Sequence, residues 1–216
     1  FESETDVYGR PRTSGSAADL GCCEFQQTGV SCGITADRTE TLVGGEIKLT
    51  AKVLGAAAES VSWTLTGDDN GVSEAKSGNP ATFVLPKTGR YSVTMTTTAG
   101  GGQMSKTRAA WLYAGPETIY VATEERDGAM TNVQEAVDAA VDGTTIILLD
   151  GVHQVAGDLV LDKEVTLKGE NGREAAVLKG TGDRSRVLTV AGGATVQGLT
   201  ITGGRLGSAS LQTDAS

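Results

Sequence analysis

Residues 165–204 read VTLKGENGREAAVLKGTGDRSRVLTVAGGATVQGLTITGG. Four or five very short apolar strands follow one another here, each closed by glycine, as in Val165-Thr166-Leu167-Lys168-Gly169 and Leu199-Thr200-Ile201-Thr202-Gly203. A strand of three or four residues cannot bury its own apolar face. Stacking such strands coil upon coil does bury it, so the stretch reads as the opening coils of a solenoid. The two similar pieces lie about 34 positions apart. The chain starts at Phe1 and stops shortly after the last strand, and the expectation is that both ends are cut from a longer protein.

Working towards the N-terminus, the strands expected before this run are Thr145–Leu149 and Asp158–Leu161. Within the run they are Val165–Lys168, Ala176–Lys179, Val187–Val190 and Val196–Ile201. Upstream of them all lies the clearest helical pattern, residues 131–142. Val133, Ala136, Val137 and Ala140 share one face, Thr131 and Gln134 have capping-box spacing, and Gly143 supplies a C-terminal stop. Such a one-sided apolar stripe must cover something, and the unprotected start of the solenoid is next to it. At the other end, Leu199–Ile201 has no following coil in this chain, so the reading expects that edge to fray.

Residues 34–113 carry a different pattern. Ile47, Leu49, Ala51 and Val53, then Val61, Trp63 and Leu65, then Tyr91, Val93 and Met95 alternate with polar residues at period two. Turn signals at Gly44-Gly45, 67–71, 77–80, 87–89 and 100–102 separate the runs. Six or seven strands over about 80 residues are accommodated by a β-sandwich, with Trp63 as its core anchor. Trp111 and Tyr113 belong to the last strand, and Ala114-Gly115-Pro116 reads as a linker. The fold class is therefore all-β: a sandwich followed by helix-capped coils.

Three resemblances sharpen this division. Asp6, Gly9 and Arg12, followed by Asp19-Leu20-Gly21-Cys22-Cys23-Glu24, resemble the terminal motif of bacterial right-handed parallel β-helix proteins, which implies that residues 1–33 are the last coil of a preceding β-helix. In that coil Asp19 and Glu24 would be turn and edge residues. The middle segment resembles a PKD-type immunoglobulin-like domain through Val61-Ser62-Trp63, Gly67-Asp68-Asp69-Asn70-Gly71, Pro80-Ala81-Thr82-Phe83 and Gly89-Arg90-Tyr91-Ser92-Val93. It departs from the family where W-D-F-G-D-G reads Trp63-Thr64-Leu65-Thr66-Gly67-Asp68. Residues 114–216 resemble the cap and first coils of a pectate-lyase-like right-handed β-helix through TIYV (118–121), QEAVDAA (134–140), GTTIILLDG (143–151), VTLKG (165–169) and VQGLTITGG (196–204).

Composition narrows the function. The formal charge is −9, and residues 114–216 hold 15 acidic against 8 basic side chains, so a phosphate backbone is repelled and nucleic acid is excluded as a partner. No apolar run approaches the roughly 20 residues of a membrane span. Cys22, Cys23 and Cys32 leave two readings open, a disulfide from Cys32 to Cys22 or Cys23, or small buried thiols. A zinc site lacks a fourth ligand, since the one histidine, His153, is distant in sequence.

Asp68, Asp69 and Asn70 carry calcium-type oxygens but in default turn chemistry. The β-helix resemblance implies, for lyases and hydrolases, acidic and basic groups along one long face. Asp150, Asp158, Asp162 and Lys163 are the positions here, all in the cap and first coils. His153 stands alone and reads as a loop or coil-corner residue. The sequence therefore assigns no catalytic, cofactor or metal residue. It points to a spacer, adhesion or polysaccharide-contacting segment of a large secreted or cell-surface bacterial protein, with glycan as the partner class. The alternative is a piece of a polysaccharide lyase or glycoside hydrolase whose active coils lie outside these residues.

Overall fold

A computed structural model describes residues 29–182 and 186–205, with the backbone of residues 13–14 and 17–18. The motif expected at Asp6–Glu24, with Cys22 and Cys23, falls outside the described residues, apart from a short antiparallel pair of β1 (Thr13–Ser14) with β2 (Ala17–Ala18). Among the described residues the regular structure is strand apart from one short helix, and the apolar residues gather into two separate cores.

The first core lies between two sheets. One holds β3 (Ser31–Ala36), β5 (Glu46–Leu54) and β8 (Ala81–Val84) in that spatial order. The other holds β4 (Glu40–Leu42), β10 (Gly102–Gly115), β9 (Gly89–Ala99), β6 (Ala58–Gly67) and β7 (Ser73–Ser77). Alternation dictates which side chains enter: Ile47, Leu49, Trp63, Leu65, Phe83, Tyr91, Val93 and Met95 are all at most 1% exposed. Trp63 anchors this core as its position suggests, and its indole N–H, which burial would otherwise orphan, donates to the Gly78 carbonyl at 2.8 Å. Asn79 likewise braces β5, accepting from Ala51 N at 2.8 Å and donating to Ala51 O at 3.0 Å.

One crossing decides how this unit is tied. After Ala36 the chain leaves the three-stranded sheet and within a few residues joins the five-stranded one, where β4 runs parallel to the end of β10, with Glu40, Thr41 and Leu42 opposite Tyr113, Ala114 and Gly115. The first strand is thus shared between both sheets. It also starts at Ser31, so Cys32 sits on β3, half-buried against this core.

The second core is the solenoid, of about three turns. β11 (Thr118–Val121), β13 (Thr145–Leu148), β16 (Thr166–Gly169) and β19 (Thr195–Gln197) stack in parallel, with the short β12 (Ala129–Met130) beside β11. A second stack joins β14 (Gly151–Val155), β17 (Ala176–Gly180) and β20 (Thr200–Thr202), and a third joins β15 (Leu159–Leu161) to β18 (Leu188–Val190). Leu148, Leu161, Leu167 and Leu178 are fully buried between them.

Three local readings change. Val196–Ile201 is two strands rather than one, because Gly198 at φ +61° turns the corner between β19 and β20. The look-alike pieces at 165–169 and 199–203 consequently lie on different stacks: Thr166 pairs with Thr195, whereas Thr200 pairs with Val177. The helix, α1, spans Val133–Ala139, and its N-cap is Asn132, whose carboxamide oxygen accepts from Gln134 N and Glu135 N. Its Val133, Ala136 and Val137 close the first end of the solenoid core.

Ala114-Gly115 is buried strand, not a free linker. Val43 N donates to Gly115 O at 2.8 Å, Thr144 Oγ1 to Pro116 O at 2.9 Å, and the Tyr113 hydroxyl to Ala139 O at the end of α1 at 3.1 Å. A Cβ on Gly115 would stand 2.6 Å from a methyl of Val141, and one on Gly143 would stand 2.9 Å from a methyl of Leu42. The two cores therefore meet in a packed joint.

Candidate functional site

The charged side chains that the sequence put forward are each placed by the coils, and the coils separate them by role. Lys163 follows β15 and reaches back under α1. Its ammonium donates to Ala140 O at 2.6 Å, with longer contacts to Val137 O and Asp138 O at 3.5 and 3.4 Å. It satisfies carbonyls that the helix end leaves unpaired and complements the negative end of the dipole. Asp158 accepts from Thr189 Oγ1 at 2.7 Å, tying one coil to the next across the β15/β18 stack. Asp150 takes both of its hydrogen bonds from Asn171 Nδ2, at 3.0 and 3.1 Å. Asp162 is exposed.

Asp150 and Asp158 do not share a cleft. Asp158 borders a polar depression of about 500 Å³ with Asn132, Gln134, Glu135 and Gln154. Asp150 borders another, of about 330 Å³, with Glu124, Glu125, Arg126 and Glu170. Acid/base work by paired carboxylates needs both on one substrate atom, and these two sit in separate depressions.

His153 is the clearest departure from the reading. It is on β14, a strand the sequence did not reveal, and points into the solenoid core, 3% exposed, with Nε2 2.8 Å from Leu149 O. The alternation of β14 places His153 and Val155 inward and Val152 and Gln154 outward. The signal was present as Val152-His153-Gln154-Val155, but one polar residue on the inward side masked the period.

Asp68, Asp69 and Asn70 build a turn. Asp68 accepts from Ser92 Oγ at 2.7 Å. Asn70 accepts from Val72 N at 3.1 Å and donates to Thr88 O at 3.2 Å. Among the described residues, no three His, Cys, Asp or Glu side chains are arranged to hold a metal ion. No helix among them is long and apolar enough to cross a membrane.

Two features carry more than the sequence disclosed. The first is Tyr113. Burial raises its phenol above the ordinary value, the Arg90 cation pulls it back and Glu40 adds a smaller push upward. Arg90 also stacks on the Tyr113 ring at 5.6 Å. The bulge that sets the end of β10 follows Arg108, with Ala110 at φ +47° and its N–H held by Ser92 Oγ at 3.0 Å.

The second is the outward face of the five-stranded sheet. The register aligns Thr66 with Ser92, Thr64 with Thr94 and Thr107, and Ser62 with Thr96 and Ser105, and β7 adds Ser73 and Ser77. Glu74 and Lys76 of β7 pair with Leu65 and Trp63 and so point to the other side. The result is a sheet face whose central rows, Thr64-Thr94-Thr107 and Ser62-Thr96-Ser105, are hydroxyls alone, with Arg90 of β9 and the Asp68 carboxylate on Ser92 Oγ at one end. Some bond among themselves, as Thr94 with Thr107 at 2.9 Å. Period-two alternation predicts polar residues on this side, but only the register shows that the hydroxyls of three strands line up.

The comparisons with known proteins add little. No protein-family model matches the chain, and no curated protein matches it. Among solved structures, a β-glucuronidase from Faecalibacterium prausnitzii aligns over 55% of this chain and 24% of its own, at 15% identity and a TM-score of 0.25. A superposition of that quality carries no argument about fold or chemistry.

Proposed function

We propose that this chain is a non-catalytic spacer that contacts neutral polysaccharide, within a large secreted or cell-surface bacterial protein. The PKD-like and pectate-lyase-like resemblances belong to this proposal, as does the extracellular setting. The observation that carries it is the hydroxyl face of the five-stranded sheet. A protein of charge −9 that keeps the central Ser and Thr rows of this face free of charge offers hydrogen-bond donors and acceptors to a neutral, hydroxyl-rich polymer. It offers no electrostatic attraction to an anionic one. The packed joint at Tyr113–Pro116 suits a stiff spacer. Catalysis is not part of the proposal, since Lys163, Asp150 and Asp158 are each engaged in holding the coils.

The test is co-sedimentation of the full chain with insoluble cellulose, xylan and chitin at low and high salt. Binding is expected to survive the rise in salt and to be lost in the double variant Thr64→Glu/Thr94→Glu, which places two carboxylates mid-face. Binding that vanishes with salt, or that the double variant leaves intact, overturns the assignment of this face. If none of the polymers retains the chain, a purely architectural role replaces polysaccharide contact. Depolymerisation of any of them by the chain would instead support the lyase or hydrolase alternative.

A further inference from the structure

We infer that Asn171-Gly172, at a corner of the solenoid between β16 and β17, is a site of spontaneous covalent modification: the carboxamide becomes a carboxylate and a tie between two coils is cut. This chemistry is independent of any contact with polysaccharide. An asparagine followed by glycine is open to it because glycine has no side chain to shield its own nitrogen. The sequence holds two such pairs, Asn70-Gly71 and Asn171-Gly172. The fold treats them differently.

Asn70 is half-buried, and each polar group that the reaction must move is held. Its Oδ1 accepts from Val72 N at 3.1 Å, its Nδ2 donates to Thr88 O at 3.2 Å, and its main-chain carbonyl accepts from Lys87 Nζ at 2.9 Å. The carboxamide also lies so close over Gly67 that a Cβ there would collide with it. Asn171 is exposed, and its side chain is tied through Nδ2 alone, to the two Asp150 oxygens at 3.0 and 3.1 Å. Neither its Oδ1 nor Gly172 N has a hydrogen-bond partner among the described residues. Backbone bonds on either side, Glu170 N to Leu148 O at 2.9 Å and Gly151 N to Ala175 O at 2.8 Å, keep the corner in place and leave the reacting peptide free.

Hydroxide takes the proton of Gly172 N, and that nitrogen attacks Asn171 Cγ. The Cγ–Nδ2 bond breaks, and the leaving group takes a proton from water, which releases ammonia and returns the hydroxide. The product is a cyclic succinimide joining side chain to main chain. Water then adds to either ring carbonyl, whose bond to the nitrogen breaks, and the nitrogen recovers its proton. Opening at Cγ gives aspartate, and opening at the main-chain carbonyl gives isoaspartate. Nothing is oxidised or reduced, and water and hydroxide are the co-reactants.

Either product removes the donor that Asp150 accepts and puts a carboxylate in its place. Asp150 shares its depression with Glu124, Glu125 and Glu170 as well as Arg126, so further negative charge is repelled there. The corner that joined the two coils then pushes them apart.

The full chain, held at mildly alkaline pH in buffer and in denaturant, is sampled at intervals and digested at acidic pH. Peptide mass spectrometry follows the change from amide to acid, and enzymatic methylation reports the isoaspartyl form. In buffer Asn171 should convert at least about tenfold faster than Asn70, the effect on a rate of the further hydrogen bonds that Asn70 must break. In denaturant the two rates should come together. Equal rates in buffer overturn the inference, as does a ratio that denaturant leaves unchanged.

Asn171→Asp reproduces one product. At low salt its solenoid should melt at a lower temperature than that of the native chain, and Asp150→Asn in the same chain should restore it by returning a donor across the corner. A melting temperature that Asn171→Asp leaves unchanged, or that the second substitution does not recover, overturns the loss of the tie. Should Asn171→Asp fail to fold, the native rates in the two solvents decide alone.

Discussion

The sandwich and the solenoid bury similar apolar residues by opposite means. In the sandwich, β6 pairs with β9 and β9 with β10, and inward residues far apart in sequence meet: Trp63, Phe83 and Met95 share one closed core. In the solenoid each inward residue meets its counterpart in the adjacent coil, as Leu148 meets Gly169 and Leu161 meets Val190. A closed core protects all its members equally. A stack protects them according to position, and the inward residues of the last described coil show the consequence, with Val190 50% and Ile201 46% exposed.

The largest effect should follow from Trp63→Ala. The variant removes a side chain that is 1% exposed and leaves the Gly78 carbonyl without its indole donor, so about 3–5 kcal/mol of sandwich stability is expected to disappear. Denaturant unfolding followed by hydrogen exchange gives the comparison its sharp form. Amides of β13 and β16 should keep their protection if the solenoid stands on its neighbours, and a joint loss would make the two units one cooperative body.

Within the solenoid, the same substitution at two depths should give two answers. Leu148→Ala empties a fully buried site in the second coil and is expected to cost about 2–5 kcal/mol. Ile201→Ala, at an inward position of the last coil, should cost only about 0.5–1 kcal/mol, because the side chain is already half in water. Thermal melts of the two variants decide it, and equal losses would break the nearest-neighbour account. Asn132→Ala, which removes the cap from α1, should fall between the two at about 1 kcal/mol.

The contrast also governs what the sequence disclosed. Period-two runs in the sandwich are long, nine to eleven residues in β5, β6 and β9, so Trp63, Tyr91 and Met95 could be placed inward from the pattern alone. Solenoid strands are two to five residues, too short for a period to outweigh one unusual residue. His153 hid β14 in this way, and Gly198 concealed a corner inside an apolar run. Partners set by register were not legible at all. Lys163 under the helix end, Asn171 on Asp150 and the aligned hydroxyls of β6, β9 and β10 depend on which coil or strand lies alongside. Ala114-Gly115 looked like a linker because glycine before proline marks loops, yet here the glycine admits Val141 into the joint.

Another small effect asks whether the two modes of burial are coupled. Tyr113 belongs to the sandwich and its hydroxyl donates to Ala139 O of the solenoid cap, so Tyr113→Phe should remove about 0.5–1.5 kcal/mol near neutral pH. Burial raises its phenol above the ordinary value, so the folded protein favours the neutral, donating form. The stabilisation is then complete below the ordinary tyrosine value of about 10 and is lost as pH climbs through the raised one. Native and variant stabilities, measured by denaturant titration at intervals from neutral to alkaline pH, should differ at first and then converge. A gap that stays constant into alkali would mean that the hydroxyl contributes by packing alone. The joint would then rest on Gly115 against Val141 and Leu42 against Gly143.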